Sequence, residues 1–379
     1  MNVLVAVDSF KGSLSTNELS SAIEEGIHQA DQGICVTKIP VADGGEGTCD
    51  ALLEGLGGTR VSLTVKGPLF DEVLASYGIL NDGTAVMEMA ASSGLPLVPE
   101  ALRNPMNTTT YGVGEMIRDA MGRGCREFIV GIGGSATNDG GMGMLEALGY
   151  RFLDREGKPL VSAGRSLAKV ARISTEGVSK ELASCRFLVA CDVENPLYGE
   201  NGAAHVFGPQ KGADEATVRV LDHGLRNWAE VVEATFDKSI GELKGAGAAG
   251  GLGGGFSAFL NAELKPGVKI IFEHLKMEAH VKEADLVIIG EGRLDAQTSM
   301  GKAPSGIAKL ASKHGIPVVA LAGSVADDAT SAHATGISAM FSIADGPMSL
   351  EEAMEPERAR HLVKKTATQV MRLVLAGWR

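Results

Sequence analysis

Residues 128–148, FIVGIGGSATNDGGMGMLEAL, are the stretch on which the reading of this chain turns. Phe128-Ile129-Val130-Gly131-Ile132 is a short apolar run rich in branched side chains, which pack well on a pleated surface and predict a buried strand. Residues 142–148 read as a helix. Between them glycines fall at 133, 134, 140, 141 and 143, where bare backbone amides can approach an anion that side chains would hold off. A strand, a glycine loop and a helix in that order put the loop at a helix amino end, where unpaired N–H groups and the helix dipole favour negative charge. The expectation is a phosphate cradle of Gly133, Gly134, Ser135, Asn138 and Gly140, with Thr137 as a further hydrogen-bonding group and Asp139 as a carboxylate. The competing reading is a tight turn in which glycine serves only positive φ angles.

The theme recurs. Asp43-Gly44-Gly45-Glu46-Gly47, the run GAGAAGGLGGG at 245–255, and Gly290-Glu291-Gly292-Arg293 repeat it, and 50 of the 379 residues are glycine, nearly twice the usual share of ~7%. Several loops allowing close backbone approach suggest a polyanionic ligand gripped from more than one side.

A chain of this length predicts two domains, and 44% hydrophobic with 22% charged residues provides an ordinary globular core. The net charge of -12 argues against nucleic acid or an anionic membrane surface as partner. The amino terminus lacks the basic and apolar regions of a secretory signal, and no apolar run approaches the ~20 residues of a membrane span. The expectation is a cytoplasmic protein, monomer or small homo-oligomer. Five cysteines at 35, 49, 125, 185 and 191 contain no CxxC pair, so they predict small buried hydrophobes rather than disulfides or a zinc site.

Val3-Leu4-Val5-Ala6-Val7 has the continuous apolar character of a strand buried on both faces of a parallel sheet. It ends at Asp8-Ser9-Phe10-Lys11, after which Ser15 and Glu18 form a capping-box pattern ahead of a helical stripe of Leu19, Ala22, Ile23 and Ile27. Residues 35–41 are a second strand running into Asp43. From about residue 60 short strands at 61–65, 74–80 and 84–89 follow, with Asn81-Asp82-Gly83 as a hairpin signal. The strand at 187–191 ends at Asp192, with Asn195 on the following turn, a pair able to hold Mg2+ or accept a proton. A helix at 215–236 carries Leu221, Leu225, Trp228 and Val232 on one side. Beyond residue 285 the alternating rhythm returns, with strands at 286–289, 317–321 and 338–343 and helices at 303–314 and 358–375. The fold expected is α/β: a discontinuous Rossmann- or flavodoxin-like parallel-sheet domain of residues 1–66 and 285–379, with an inserted α+β domain, 67–284, carrying glycine-rich loops. Ligands of open parallel sheets sit beyond the carboxyl ends of the strands, which draws attention to Asp8, Asp43 and Glu291.

The segments DSFKGSLS, PVADGGEGT, GIGGSATNDGGMG, ACDVENPLYGENGA, FGPQKGA, GAGAAGGLGGG and GEGRLDAQTSMGK together resemble the type-1 family of bacterial glycerate kinases, in the same order from the first strand to the last helix. The resemblance implies phosphoryl transfer from ATP to D-glycerate with Mg2+, giving a phosphoglycerate, with 2-phosphoglycerate favoured over the 3-isomer. Such a reaction needs backbone N–H groups, Lys or Arg and Mg2+ around the γ-phosphoryl, and a carboxylate that orients or deprotonates the hydroxyl. No Walker A motif or protein-kinase signature is present. Lys11 and Arg293 are the cationic catalytic candidates and Asp192 the catalytic carboxylate, as base or metal ligand. Asp139 and Asp192 are the metal candidates, and Asp8, Ser9, Asp43, Gly44, Glu291, Asp295 and Lys302 the substrate-binding ones. The alternative class is an NAD(P)-dependent dehydrogenase of a small hydroxy acid, because the runs starting at Gly131 and Gly245 both fit GxGxxG/A. Residues 137–139 interrupt the first, and the second lacks a preceding strand.

Overall fold

The computed structural model describes residues 1–42, 45–295 and 303–377. In chain order its strands are β1 (Asn2–Val7), β2 (Cys35–Pro40), β3 (Gly58–Lys66), β4 (Glu72–Leu80), β5 (Ala85–Glu88), β6 (Glu127–Gly131), β7 (Arg151–Leu153), β8 (Arg172–Ser174), β9 (Arg186–Ala190), β10 (Glu263–Lys265), β11 (Leu286–Leu294), β12 (Val318–Val325) and β13 (Ala339–Ser342). They belong to two compact units, one of Met1–Asp43 with Ile271–Arg379 and one of Gly44–Ile270.

The first unit is a five-stranded sheet, ordered β13-β12-β11-β1-β2, with every pair parallel. Numbered within the unit this is the flavodoxin-like order 2-1-3-4-5, whose switch point lies between the first and third strands, here β1 and β11. β1 can occupy an interior position because Val3, Val5 and Val7 are buried on one face and Leu4 and Ala6 on the other. The helix Thr16–Ala30 starts as its sequence predicts: the Glu18 N–H donates to Ser15 Oγ and the Ser15 N–H to Glu18 Oε2. It lies against the helix Pro356–Gly377, and a Cβ on Gly26 would sit 2.5 Å from the Lys364 carbonyl oxygen, so a larger residue would push the helices apart. β11 runs on to Leu294, five residues past the predicted end. Gly290, Glu291 and Arg293 are therefore strand residues registered on Leu321, Ala322 and Ser324, and the expected glycine loop here is a ladder. A Cβ at Gly290 would meet Leu321 O at 3.0 Å and Val7 Cγ1 at 3.2 Å, so this glycine serves strand packing.

The second unit is a six-stranded sheet, β10-β9-β6-β5-β4-β3. Its first four strands run parallel, and β4 and β3 extend it as an antiparallel edge. The hairpin at Asn81–Gly83 forms as the dipeptide signal requires: Gly83 has φ +86°, and the Thr84 N–H donates to Asp82 Oδ1 at 2.9 Å. The sequence reading drew its boundaries at 66/67 and 284/285, whereas the compact units divide at 43/44 and 270/271. β3 explains the first difference, because all nine of its residues pair with β4 and follow it into the second unit. The helix Glu215–Phe236 spans the predicted residues and buries the predicted stripe, with Trp228 completely enclosed.

Among the described residues no helix is long and apolar enough to cross a membrane. Cys49, Cys125, Cys185 and Cys191 are buried free thiols, as their small apolar character suggests, while Cys35 is exposed. Burial pushes the Cys49 thiol up to about 11.

Candidate active site

In the first unit the carboxyl ends of the parallel strands open into a cavity of about 780 Å³. Six sequence candidates line it: Asp8 and Ser9 just beyond β1, Lys11 on the same turn, and Glu291, Arg293 and Asp295 at the end of β11. The turn that presents Lys11 is fixed from below. Phe10 and Leu14 are buried and exchange backbone hydrogen bonds, Phe10 N–H to Leu14 O at 2.9 Å and Leu14 N–H to Phe10 O at 3.0 Å. Lys11 and Gly12 are thereby turned outward, and Gly12 takes φ +79°. Asp8 Oδ1 accepts from the Ser9 N–H at 2.6 Å. Arg293 Nε lies 3.7 Å from Asp295 Oδ2, with 68% of the arginine side chain exposed. An exposed pair of that kind adds little stability, so its place in the cavity is the more informative fact. Asp43, Gly44 and Lys302 lie outside the described residues.

In the second unit the glycine loop after β6 divides into two parts. Gly133 and Gly134 are exposed and Ser135 half-buried, while residues 136–141 are buried. The buried part has a ligand already, the chain's own Asp139. Its carboxylate is completely enclosed and accepts from the Thr110 N–H and Oγ1 at 2.8 Å each, and from the N–H groups of Gly141 and Gly143 at 3.1 Å each. The amides that open the helix Met142–Ala147, expected to face a phosphate, are held by this internal anion. Burial pushes the Asp139 carboxyl up and the hydrogen bonds from Thr110, Gly143 and Gly141 pull it down. Two members of the expected cradle are corrected for the same reason. Asn138 is wholly buried, and the Gly140 N–H donates to Gly250 O at 3.0 Å, so neither is presented to an outside phosphate.

The third glycine run is explained by this packing. Residues 249–251 inside the helix Ala248–Leu260 all take left-handed φ values. A Cβ at Gly250 would stand 2.1 Å from Thr137 O, one at Gly251 2.9 Å from Gly140 Cα, and one at Gly255 2.8 Å from Gly140 O. Two of the glycine-rich segments are bare because they interlock with each other, which replaces the expectation that each grips a ligand.

Lys211, within the FGPQKGA segment, was not chosen from sequence. It is only 2% exposed, and its amine donates to Ser135 Oγ at 2.8 Å and to Thr137 O at 2.6 Å. It therefore ties the exposed apex of the loop to the buried part. Burial pushes its amine down to about 7, with the Asp139 charge opposing the shift. Lysine is almost never fully buried unless paired, and nothing in the hydrophobic pattern distinguishes this one. Asp192 is exposed at the end of β9. Its Oδ1 accepts the Gly267 N–H at 3.0 Å, at the start of the helix Gly267–His274. The Asn195 Nδ2 on the following turn donates to Asn201 O at 2.8 Å.

A parallel α/β unit whose strand ends open into a cavity lined by lysine, arginine and three carboxylates belongs to the class of open-sheet proteins with a ligand site at the strand ends. Comparison with known proteins narrows it. Residues 3–375 match the model of the glycerate kinase family. The chain is 46% identical over 371 residues to a glycerate kinase of Bacillus subtilis (strain 168), covering 98% of this chain and 97% of that protein. It is 46% identical over 354 residues to the glycerate 2-kinase of Escherichia coli (strain K12), covering 93% of each. A crystal structure described as glycerate kinase 2 from Salmonella typhimurium LT2 superposes with a TM-score of 0.91 at 43% identity, covering 100% of this chain and 99% of that one. The chain belongs to the glycerate kinase family, whose members are ATP-dependent kinases. The dehydrogenase alternative finds no support, and its two glycine signatures are the interlocked segments just described.

Proposed function

We propose that this protein transfers the γ-phosphoryl group of ATP to the 2-hydroxyl of D-glycerate in the presence of Mg2+. Family membership supports the kinase and its substrate, and the name of the Escherichia coli relative supports the 2-position. The observation that carries the assignment to residues is the first unit's cavity, which Lys11, Arg293, Asp8, Glu291 and Asp295 all line.

Phosphoryl transfer is mainly a matter of positioning and charge stabilisation. Lys11 supplies a mobile point charge and Arg293 a planar fork that fits phosphate or carboxylate. Ser9 can hydrogen-bond either. Mg2+ is held through one or two carboxylates completed by phosphate oxygens and water. Asp8, Glu291 and Asp295 line the cavity and any one of them could supply such a carboxylate, although among the described residues no three acids, histidines or cysteines are grouped to hold a metal by themselves; Asp139, enclosed and already accepting four hydrogen bonds, does not fit. Bound there, Mg2+ would neutralise charge on the β- and γ-phosphates. In the second unit exposed Gly133 and Gly134, with half-buried Ser135 beside them, remain a hydrogen-bonding apex braced by Lys211. Asp192, held by its bond to the Gly267 N–H, is the carboxylate we assign as the base that receives the hydroxyl proton.

The test is to incubate purified protein with D-glycerate and either ATP with Mg2+ or NAD(P)+. Glycerate-dependent ADP release is the expected result. Reduced nicotinamide, or no change with either co-substrate, would overturn the assignment.

A further inference from the structure

Glycerate, a three-carbon acid, is far smaller than the first unit's cavity. At about 780 Å³ the cavity falls in the upper part of the ~300–1,000 Å³ range of pockets that enclose drug-sized ligands. Its lining is mixed. Besides Lys11 and Arg293 it includes Ile343, Pro347, Met348, Leu350 and Met354, of which Leu350 is 76% exposed. A ligand matching both kinds of residue needs a polyanionic end and a flat apolar end, and glycerate, polar over its whole length, has no group to place against Met348 and Leu350.

Resting on the reading of the chain as an ATP-dependent kinase, we infer that this cavity seats the nucleotide, with its phosphates toward Lys11 and Arg293 and its base on the Ile343–Met354 wall. Three observations converge on this. The cavity is lined from the carboxyl ends of β1, β11, β12 and β13 and so takes in the switch point of a 2-1-3-4-5 parallel sheet, the position at which such sheets take ligands. The apolar wall and the phosphate-side turn are continuous, since a Cβ on Gly12 would lie 2.8 Å from Met354 Cε. The other candidate, the glycine loop after β6, has its helix-opening amides bound to Asp139, leaving only the apex at residues 133–135 for an outside anion. Met348, half-buried and unbranched, suits a surface that must fit a planar ring.

The experiment uses the full-length protein with an N-methylanthraniloyl ATP probe, read by fluorescence anisotropy, together with steady-state kinetics. Leu350→Glu and Met348→Glu each place a carboxylate where the base would rest. Leu350 is exposed enough that its replacement leaves the fold unaffected, so it protects the test should Met348→Glu unfold. Both variants are expected to weaken probe binding by about 10-fold or more and to raise KM for ATP in parallel, with KM for D-glycerate changed less than about 2-fold. Unchanged probe binding in Leu350→Glu, or a rise in KM for glycerate alone, would overturn the inference. Probe binding is read without turnover, so a wild-type protein that binds the probe but does not phosphorylate glycerate would count against the proposed reaction and not against this cavity.

Discussion

Replacing Gly250 by alanine should injure the second unit in a way the structure sizes in advance. Gly250 takes φ +69°, a region that costs an L-residue about 1–2 kcal/mol. Its new methyl group would stand 2.1 Å from Thr137 O and 2.5 Å from Asn138 Cα. Both neighbours are backbone, part of the segment that Asp139 pins, so neither can move as a side-chain tip would. Overpacking of that kind adds roughly 1–3 kcal/mol. The sum, about 2–5 kcal/mol, corresponds to a fall in Tm of the order of 4–20 °C for a unit of this size. Gly199→Ala isolates the conformational part, since Gly199 has φ +92° and an added Cβ would meet nothing within 4 Å. It should lower Tm by only about 2–8 °C. Differential scanning calorimetry of the two variants beside the wild type measures both. Equal losses would refute the claim that the glycine run is bare because it interlocks with the loop after β6.

Other outcomes follow from single residues. The unfolded chain holds the Lys211 proton up to about 10.5, whereas the folded protein releases it near 7. Stability contributed by this group should thus rise between pH 7 and pH 9, by ~1.4 kcal/mol per pH unit. The destabilising effect is fully present below pH 7. The stability difference between wild type and Lys211→Met should therefore shift by ~2–3 kcal/mol over that range in urea titrations, and a pH-independent difference would show an amine that stays charged. Asp192→Asn keeps an oxygen for the Gly267 N–H, so Tm should be unchanged while kcat falls by roughly 10²-fold; a stable, fully active variant would remove Asp192 from the chemistry. Lys11→Ala and Arg293→Ala, both on exposed positions of the cavity wall, should each lower turnover by ~10²-fold or more without loss of Tm, and near-normal kinetics in both would return them to the surface.

Local signals in this sequence were legible where their causes are local. The Ser15–Glu18 box, the Asn81–Gly83 turn and the stripe on Glu215–Phe236 depend on residues a few positions apart, and each stands where the pattern puts it. The cavity residues Asp8, Lys11, Glu291, Arg293 and Asp295 were legible for a different reason. Parallel strands bring their carboxyl ends to one edge whatever their distance in the chain. Glycine composition misled because a missing Cβ serves chain-to-chain contact and ligand contact equally well, and only the partner distinguishes them. The partner of Gly140 is Gly250. Asp139 and Lys211 were misread and missed respectively, because their defining contacts lie far away in sequence, at Thr110 for the carboxylate and at Ser135 and Thr137 for the amine. The attachment of β3 to the second unit was hidden likewise, since strand pairing is a long-range choice that residue type constrains only weakly.

The central claim is that this chain phosphorylates the 2-hydroxyl of D-glycerate, and the phosphorus spectrum of the product tests it most directly. Purified protein, D-glycerate, ATP and Mg2+ should yield a new phosphomonoester signal split into a doublet by the single proton on carbon 2, growing as ATP disappears. A triplet, from phosphate on the methylene oxygen of carbon 3, would contradict the assigned position, and the absence of any glycerate-dependent phosphomonoester would contradict the activity itself.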